Sequence, residues 1–215
     1  MKIHKFILLL SFLYLSFSGS LSAQTFNELV NQYRELQKES KYEEMIKVLD
    51  VMLKKFPDTQ PEITYYNRGN THRQMKEYKK SIEDYTKAID KNPEYISAYN
   101  NRAISYFDLE EYALSVKDYS KVIESKPGNA VAYYSRGNAY SQLFDYDNAV
   151  KDYSKAIEIQ PDFADAYYNR GNKYFGMSMY EEAKSDWEKA VKLNKEYEKE
   201  LKDKIKEAQE KIERK

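Results

Sequence analysis

Four clusters of tyrosine, asparagine and arginine are the strongest candidates for a functional site in this chain. The letters YYNRGN occupy residues 65–70 and again 167–172, with the near-copies YNNRAI at 99–104 and YYSRGN at 133–138. Asparagine offers amide donors and a carbonyl acceptor, so it can hold a peptide backbone without selecting a side chain. Tyrosine adds a flat apolar ring and a hydroxyl at low entropic cost. Chemistry of this kind is typical of binding.

The arginine of each cluster is followed sixteen residues later by an aspartate, which predicts an ion pair. The pairs are Arg68 with Asp84, Arg102 with Asp118, Arg136 with Asp152, and Arg170 with Asp186. We expect each pair to bridge either the two helices of a hairpin or two adjoining units. Four equivalent copies suit architecture better than a single reaction centre.

Other chemistry has little support in the sequence. The chain contains no cysteine and two histidines, of which His4 precedes an N-terminal apolar run and His72 lies on a packing stripe. It carries no glycine-rich phosphate loop and no ligand set with metal spacing. Its 35 basic and 35 acidic residues give no net charge, so composition provides no attraction for nucleic acid. We therefore expect no enzymatic activity, no cofactor, no metal site and no nucleic-acid partner.

The clusters recur with a period of 34 residues, and this period indicates the elements that carry them. It is shared by four kinds of position: Gly69, Ala103, Gly137 and Gly171; Pro93, Pro127 and Pro161; Tyr78, Tyr112, Tyr146 and Tyr180; and Tyr85, Tyr119, Tyr153 and Trp187. A period of this length is typical of helix–turn–helix repeats. The apolar spacing predicts two amphipathic helices in each unit. A short polar turn such as Phe144–Asp147 separates them, and the proline ends the unit.

The recurring glycine lies in the middle of a predicted helix, where it costs roughly 0.5–1 kcal/mol relative to alanine. Small residues also recur on the second helix, as Ser81, Ser115, Ala149 and Ala183. We expect contacts between these small residues and the glycines to bring the two helices close together, with tyrosines filling the flanks.

These positions resemble the tetratricopeptide repeat family. The family pattern reads here as Tyr133, Gly137, Tyr140, Ala149, Tyr153, Ala156 and Pro161. The resemblance gives repeats at residues 62–95, 96–129, 130–163 and 164–197, and a degenerate repeat at 26–59. It implies an all-α fold, a right-handed superhelical solenoid of antiparallel helix pairs.

Residues 198–215 follow the last repeat and are rich in charge. Together with Tyr197, they form one apolar stripe of Tyr197, Leu201, Ile205, Ala208 and Ile212. This pattern predicts a C-terminal capping helix, with a coiled-coil arm as the alternative.

The resemblance also places a binding surface, because the first helices of this family line a concave groove that holds extended peptides. The residues that it assigns to a peptide-binding groove are Tyr66, Asn70, Arg73, Asn100, Tyr134, Asn138, Tyr168 and Asn172. The alternative is that the asparagines are merely tolerated on a solvated surface. We expect a monomeric protein-interaction scaffold, with a self-associating structural element of the cell envelope as the second possibility.

One branch of the family binds the acidic C-terminal tails of chaperones through a carboxylate clamp, and this chain lacks that clamp. The clamp needs a lysine four residues before a groove asparagine, a place held here by Tyr66, Tyr134 and Tyr168. Its other basic place is held by Ile63, Ser97, Val131 and Asp165. The identity of a protein or peptide partner therefore stays open.

The N-terminus has the layout of a secretory signal peptide at residues 1–23. Lys2, His4 and Lys5 precede an apolar run at 6–17, and the small and polar SGSLSA follows. Cleavage is expected after Ala23 or Ser20. The alternative is an uncleaved membrane anchor, but the run is short for a span of roughly 20 residues. We expect an exported protein, periplasmic or secreted, whose mature chain has no stable membrane insertion.

Overall fold

The protein is described by a computed structural model over residues 24–214, and the predicted signal peptide at 1–23 lies outside the described residues. Residues 24–214 form eleven α-helices and no strand. The helices are α1 (Phe26–Lys38), α2 (Tyr42–Lys55), α3 (Pro61–Gln74), α4 (Tyr78–Lys91), α5 (Ile96–Asp108), α6 (Tyr112–Ser125), α7 (Ala130–Gln142), α8 (Tyr146–Ile159), α9 (Ala164–Gly176), α10 (Tyr180–Leu193) and α11 (Glu198–Glu213), with a 3₁₀ turn at Lys195–Tyr197. The predicted all-α class is confirmed. Within the described range, no helix is both long enough and apolar enough to cross a membrane.

The helices stack in chain order as a solenoid. Each of α2 to α10 packs against the helix before it and the helix after it, and the first helices α3 and α5 also touch each other. Five helix pairs, from α1–α2 to α9–α10, therefore follow one another along the array, and α11 packs on α10. The predicted solenoid of helix pairs is confirmed.

A Schellman motif ends the first helix of every hairpin. In α7 the N–H of Asp145 donates to the carbonyl of Tyr140 at 3.0 Å, and Phe144 takes the left-handed conformation that the motif needs, with φ 60°. Ser40, Lys76, Glu110 and Ser178 hold the same place in the other hairpins. Because Asp145 alone separates this residue from the next helix, α8 begins at Tyr146. The predicted turn at Phe144–Asp147 is therefore wrong at its second half, which is helical.

The recurring glycine makes room for an aromatic ring of the second helix. A Cβ atom at Gly137 would lie 2.8 Å from Cε1 of Tyr153 and 3.3 Å from the backbone oxygen of Ala149. The same contact joins Gly69 to Tyr85 and Gly171 to Trp187. The expected contact between small side chains is therefore corrected: the glycine faces a buried ring, and the small residue contributes its backbone carbonyl.

The last helix covers the end of the array. Leu201 and Ala208 of α11 are fully buried in one cluster with Trp187 of α10. Just before α11, the ring of Tyr197 stacks on Tyr168, with centroids 4.8 Å apart and planes inclined by 17°. These contacts with the last hairpin favour the capping helix over the coiled-coil arm.

Candidate functional site

The predicted pairs of arginine and aspartate are present and join three helices each. Arg136 on α7 donates from Nε and Nη2 to the two carboxylate oxygens of Asp152 on α8, at 2.7 and 2.8 Å. Its Nη1 donates to Oγ of Ser120 on α6, at 2.9 Å. Arg68, Arg102 and Arg170 bind Asp84, Asp118 and Asp186 in the same way and reach Asp50, Thr86 and Ser154 of the preceding hairpin. Each arginine therefore bridges both its own hairpin and two adjoining units.

Two tyrosine rings of the same helix flank Arg102, Arg136 and Arg170, and one such ring, that of Tyr65, lies beside Arg68. The guanidinium carbon of Arg136 lies 5.7 Å from the ring centroid of Tyr133 and 5.9 Å from that of Tyr140. Such cation–π contacts add to the ion pair. The hydrogen bond with Asp152, opposed by burial, raises the pKa of Arg136 above its ordinary value. The arginine and the first tyrosine of each cluster are thus structural, and together with the four aspartate partners they form what we call the arginine ladder.

The last asparagine of the cluster lies at the junction between units and is already engaged. Oδ1 of Asn138 accepts a hydrogen bond from the hydroxyl of Tyr153 at 2.8 Å and another from Nδ2 of Asn169 at 3.0 Å. Nδ2 of Asn169 also lies 3.0 Å from the hydroxyl of Tyr134. Asn70, Tyr85, Asn101 and Tyr66 repeat this arrangement between α3 and α5. The carbonyl side of these two predicted groove asparagines is therefore occupied by the protein itself.

The second tyrosine of the cluster packs against the aromatic residue that opens the next unit. The ring centroids are 5.0 Å apart for Tyr66 and Tyr95, and 4.8 Å for Tyr134 and Phe163. Burial raises the pKa of Tyr134. In the second repeat, asparagines hold both equivalent places, as Asn100 and Asn129. These tyrosines thus link neighbouring units.

Further predicted groove residues are Asn100 on α5 and, on the last first helix α9, Tyr168 and Asn172. Nδ2 of Asn100 donates to its neighbour Asn101 at 3.1 Å. The hydroxyl of Tyr168 donates to Glu200 of α11. Oδ1 of Asn172 lies 3.5 Å from Nζ of Lys204. Two residues of the capping helix, Glu200 and Lys204, therefore contact predicted groove residues on α9.

Arg73 occupies an internal position beside the groove. Its charge acts on Asp108, whose pKa is raised by burial and lowered in part by Arg73. It acts in the same direction on Tyr85, where burial raises the pKa to about 12 against the influence of Arg73. The guanidinium thus lies next to a carboxylate and a buried phenol of the array.

A pocket of about 340 Å³ opens on the first-helix side of the array. Its lining residues come from α5, α7, α8 and α9: Phe107, Asn138, Ser141, Gln142, Tyr153, Asn169, Asn172 and Lys173. We call it the Lys173 pocket. The described residues that line it include one cation and no carboxylate. Amide and hydroxyl groups make up most of the remainder, so the pocket offers hydrogen-bond donors around a single positive charge.

Lys173 is half-buried, and its ammonium lies 4.8 Å from the ring centroid of Tyr146. Burial lowers the pKa of this lysine below its ordinary value. Among residues 24–214, no carboxylate forms an ion pair with it. No group of three or more His, Asp or Glu side chains in that range could hold a metal ion.

Two family models match the chain over residues that include three of the four clusters; the second cluster, at 99–104, lies between the matched ranges. The model described as tetratricopeptide repeat matches residues 63–95, 130–163 and 164–197, and the model described as TPR repeat matches residues 105–143. This chain is a tetratricopeptide repeat protein. No curated protein sequence matches it.

Solved structures share the fold of this tetratricopeptide repeat array at low sequence identity. MamA 41-end from Desulfovibrio magneticus RS-1 matches with a TM-score of 0.74 and 16% identity, covering 79% of this chain and 95% of that chain. A crystal structure of MamA matches with a TM-score of 0.73 and 23% identity, covering 78% and 96%. YrrB, titled a TPR protein with an unusual peptide-binding site, matches with a TM-score of 0.69 and 22% identity, covering 77% and 84%. At these identities the likeness shows the fold alone.

The Lys173 pocket of the tetratricopeptide repeat array brings together two of the predicted groove residues, Asn138 and Asn172. The other six lie outside its lining: Tyr66, Asn70, Arg73, Asn100, Tyr134 and Tyr168. Sequence reasoning missed Lys173 and Asn169. A signal for both was available, because residues 169, 172 and 173 are three and four apart and share one helix face.

Proposed function

We propose that this tetratricopeptide repeat protein is a non-catalytic scaffold that binds an extended segment of a protein partner in its groove. The observation that carries the proposal is the Lys173 pocket, where amide groups of three first-helix asparagines meet at an opening of about 340 Å³. Amides that line a cleft can pair with the backbone of an extended peptide. YrrB, which shares the fold and is described as having a peptide-binding site, supports the proposal that an array of this kind can bind a peptide.

The arginine ladder explains how such a surface can vary without loss of the fold. Asp152 and its equivalents hold the units together from the second helices, and their side chains are buried. The groove of each unit can then differ, as it does where Asn100 replaces a tyrosine.

Site-specific photocrosslinking in the native host tests the groove directly. A benzophenone amino acid at Gln142, an exposed residue that lines the pocket, is expected to capture a partner, and peptide mapping of the adduct should give one contiguous stretch. The matched control is the same amino acid at Lys151, an exposed position of α8 outside the pocket. Adducts at position 151 without adducts at position 142 would place the binding surface elsewhere.

Self-association is the second candidate, and one observation favours it. Phe144 is 79% exposed and its neighbour Leu143 is 43% exposed, so the α7–α8 turn presents apolar surface to solvent. We propose a monomer, because the charged helix α11 covers the C-terminal end of the array. Sedimentation over a range of concentrations decides between the two. A mass that rises with concentration, and no longer rises in Phe144→Ser, would support the structural element.

We also propose that the protein is exported and that residues 1–23 are removed. The proposal rests on the basic, apolar and small-residue segments of the N-terminus. N-terminal sequencing of the protein from an envelope or medium fraction should begin at Gln24 or Leu21. Protein in such a fraction that still begins at Met1 would identify an uncleaved anchor instead.

A further inference from the structure

We propose that the Lys173 pocket accepts the carboxylate side chain of an aspartate or glutamate from the segment bound in the groove. This inference rests on the proposed function and adds the chemistry of the bound segment. It also assigns a binding role to Lys173, which lies outside the carboxylate clamp positions that Tyr66, Tyr134 and Tyr168 would have to fill.

Lys173 departs from the pattern of its own repeat position. The equivalent residues of the three preceding units are small and buried: Thr71 is 1% exposed, and Ser105 and Ala139 are both 0% exposed. A long cationic side chain at such a position loses hydration, and burial accordingly lowers the pKa of Lys173. A residue that departs from a local pattern without an ion-pair partner among the described residues is typical of a functional site.

Other cations near the groove have acidic neighbours. Lys204 forms an ion pair with Glu200 at 3.2 Å, and Arg73 acts on Asp108. Lys173 has the face of the Tyr146 ring, 4.8 Å from its ammonium, and no carboxylate partner among the described residues. A carboxylate brought by a ligand would restore the counter-charge that the array itself omits.

The charges that line the Lys173 pocket differ from those at the equivalent place one unit upstream. One unit upstream, Arg73 stands in the place of Phe107 and Asp108 in the place of Gln142. That upstream register already contains both charges, whereas the Lys173 pocket contains the cation alone. A bound segment would therefore be held in one register along the groove, with its acidic residue at Lys173.

The position of the pocket favours an acidic side chain over a C-terminal carboxylate. The first-helix surface continues on both sides of the pocket, towards Asn101 on α5 and towards Tyr168 on α9. A segment can therefore enter and leave, and a chain end is not required. Phe107 in the lining and the exposed ring of Phe144, 6.3 Å from the ring of Tyr146, provide apolar contact for a residue next to the acid.

Two displayed libraries of short random peptides test this inference on the chain from residue 24 onward, which contains all the described helices. In the first library both peptide ends are joined to flanking sequence, and in the second the C-terminus is free. Selection is expected to enrich aspartate or glutamate in the first library. Changing that acid to its amide in the best peptide is expected to raise the Kd roughly ten- to a hundredfold, because a charge-assisted hydrogen bond is lost.

Two lysine variants assign the effect to the pocket. Lys173→Gln should bind the acidic peptide and its amide version with equal Kd, and Lys151→Gln, an exposed lysine of α8, should still discriminate between them. Circular dichroism checks that both variants keep the helical content of the wild type. Side-chain amide NMR signals of Asn138 and Asn172 report whether a selected peptide lies in the groove.

The possible results separate the inference from the proposed function. Peptides that shift the groove signals but show no acidic preference would overturn the inference and leave the proposed function standing. If acid dependence appears only in the library with the free C-terminus, the pocket binds a C-terminal carboxylate, and the inference of an acidic side chain is wrong. Selected peptides that leave the groove signals unchanged would overturn both proposals.

Discussion

Replacing Asp152 by asparagine removes one carboxylate from the arginine ladder while keeping the shape of the side chain. In the wild type this carboxylate accepts two hydrogen bonds from Arg136, at 2.7 and 2.8 Å. The side chains of Asp152 and Arg136 are 8% and 18% exposed. Asparagine retains one carbonyl oxygen but turns an amide N–H₂ towards a guanidinium that has no acceptor. One hydrogen bond is therefore lost, and the charge of Arg136 loses its nearest counter-charge.

The expected loss of unfolding free energy is about 2–3 kcal/mol. Removing one partner of a buried ion pair costs roughly 3–5 kcal/mol. The value here should lie below that range because Arg136 keeps the hydroxyl of Ser120 and two tyrosine rings. In a domain of this size each kcal/mol lowers the thermal midpoint by roughly 2–4 °C, so the shift should be about 4–12 °C.

Urea unfolding followed by circular dichroism measures the global effect. Because repeat arrays unfold in parts, hydrogen exchange of the α7 and α8 amides should be measured as well. Glu158→Gln is the matched control, since Glu158 pairs with Lys155 at 2.6 Å and the two side chains are 68% and 41% exposed. Exposed pairs contribute about 0–1 kcal/mol. If Asp152→Asn destabilises no more than Glu158→Gln, the ladder does not hold the units together.

Three further predictions follow from the packing. Gly137→Ala should lower the unfolding free energy by roughly 1–3 kcal/mol in urea titrations, because its Cβ would lie 2.8 Å from a buried ring. The control Gly128→Ala, whose Cβ would meet nothing within 4 Å, should be neutral or slightly stabilising. Asn138→Ala should cost about 1–3 kcal/mol by the same measurement, since it leaves two internal donors unpaired; the looser contact of Asn172, at 3.5 Å, predicts almost no loss for Asn172→Ala. Burial raises the pKa of Tyr85 to about 12, above the ordinary value of 10.0. The protonated phenol therefore makes its full contribution to the free energy of unfolding below pH 10, and this contribution is lost as the pH rises towards 12. Unfolding free energies measured across that interval should fall less steeply in Tyr85→Phe, and an unchanged slope would contradict the assignment.

The periodic part of the fold could be predicted from the sequence because its causes are local. Apolar spacing within each helix and the proline at each unit end depend on near neighbours in the chain. The pairing of Arg136 with Asp152 was also predictable, because its spacing recurs in all four clusters. Spacing alone left open whether the pair joins one hairpin or two units, and the contact with Ser120 shows that the arginine does both.

The parts that could not be predicted depend on distances between units. Asn138 was assigned to the groove from its helix face, but its partner Asn169 lies in the next unit, 31 residues away. The sequence predicts a turn that extends two residues into α8, because a left-handed residue such as Phe144 is usually recognised only when it is glycine. For Asn138 the internal hydrogen bonds add a role between units to the predicted position in the groove.

The distribution of residues over the units separates what holds the array from what it binds. Arg136 and its equivalents recur in every regular unit, as a structural device should, whereas Lys173 stands alone among small residues at its position. This difference predicts that one variant changes the affinity alone and the other changes the stability alone. Lys173→Gln should change the affinity for an acidic peptide while leaving the free energy of unfolding within about 1 kcal/mol of the wild type, which is the size of the cation–π contact with Tyr146 that it removes. Asp152→Asn should lower the stability and leave the affinity of the folded fraction unchanged. If either variant changes both the peptide affinity and the free energy of unfolding, binding and stability depend on the same side chains and the separation is wrong.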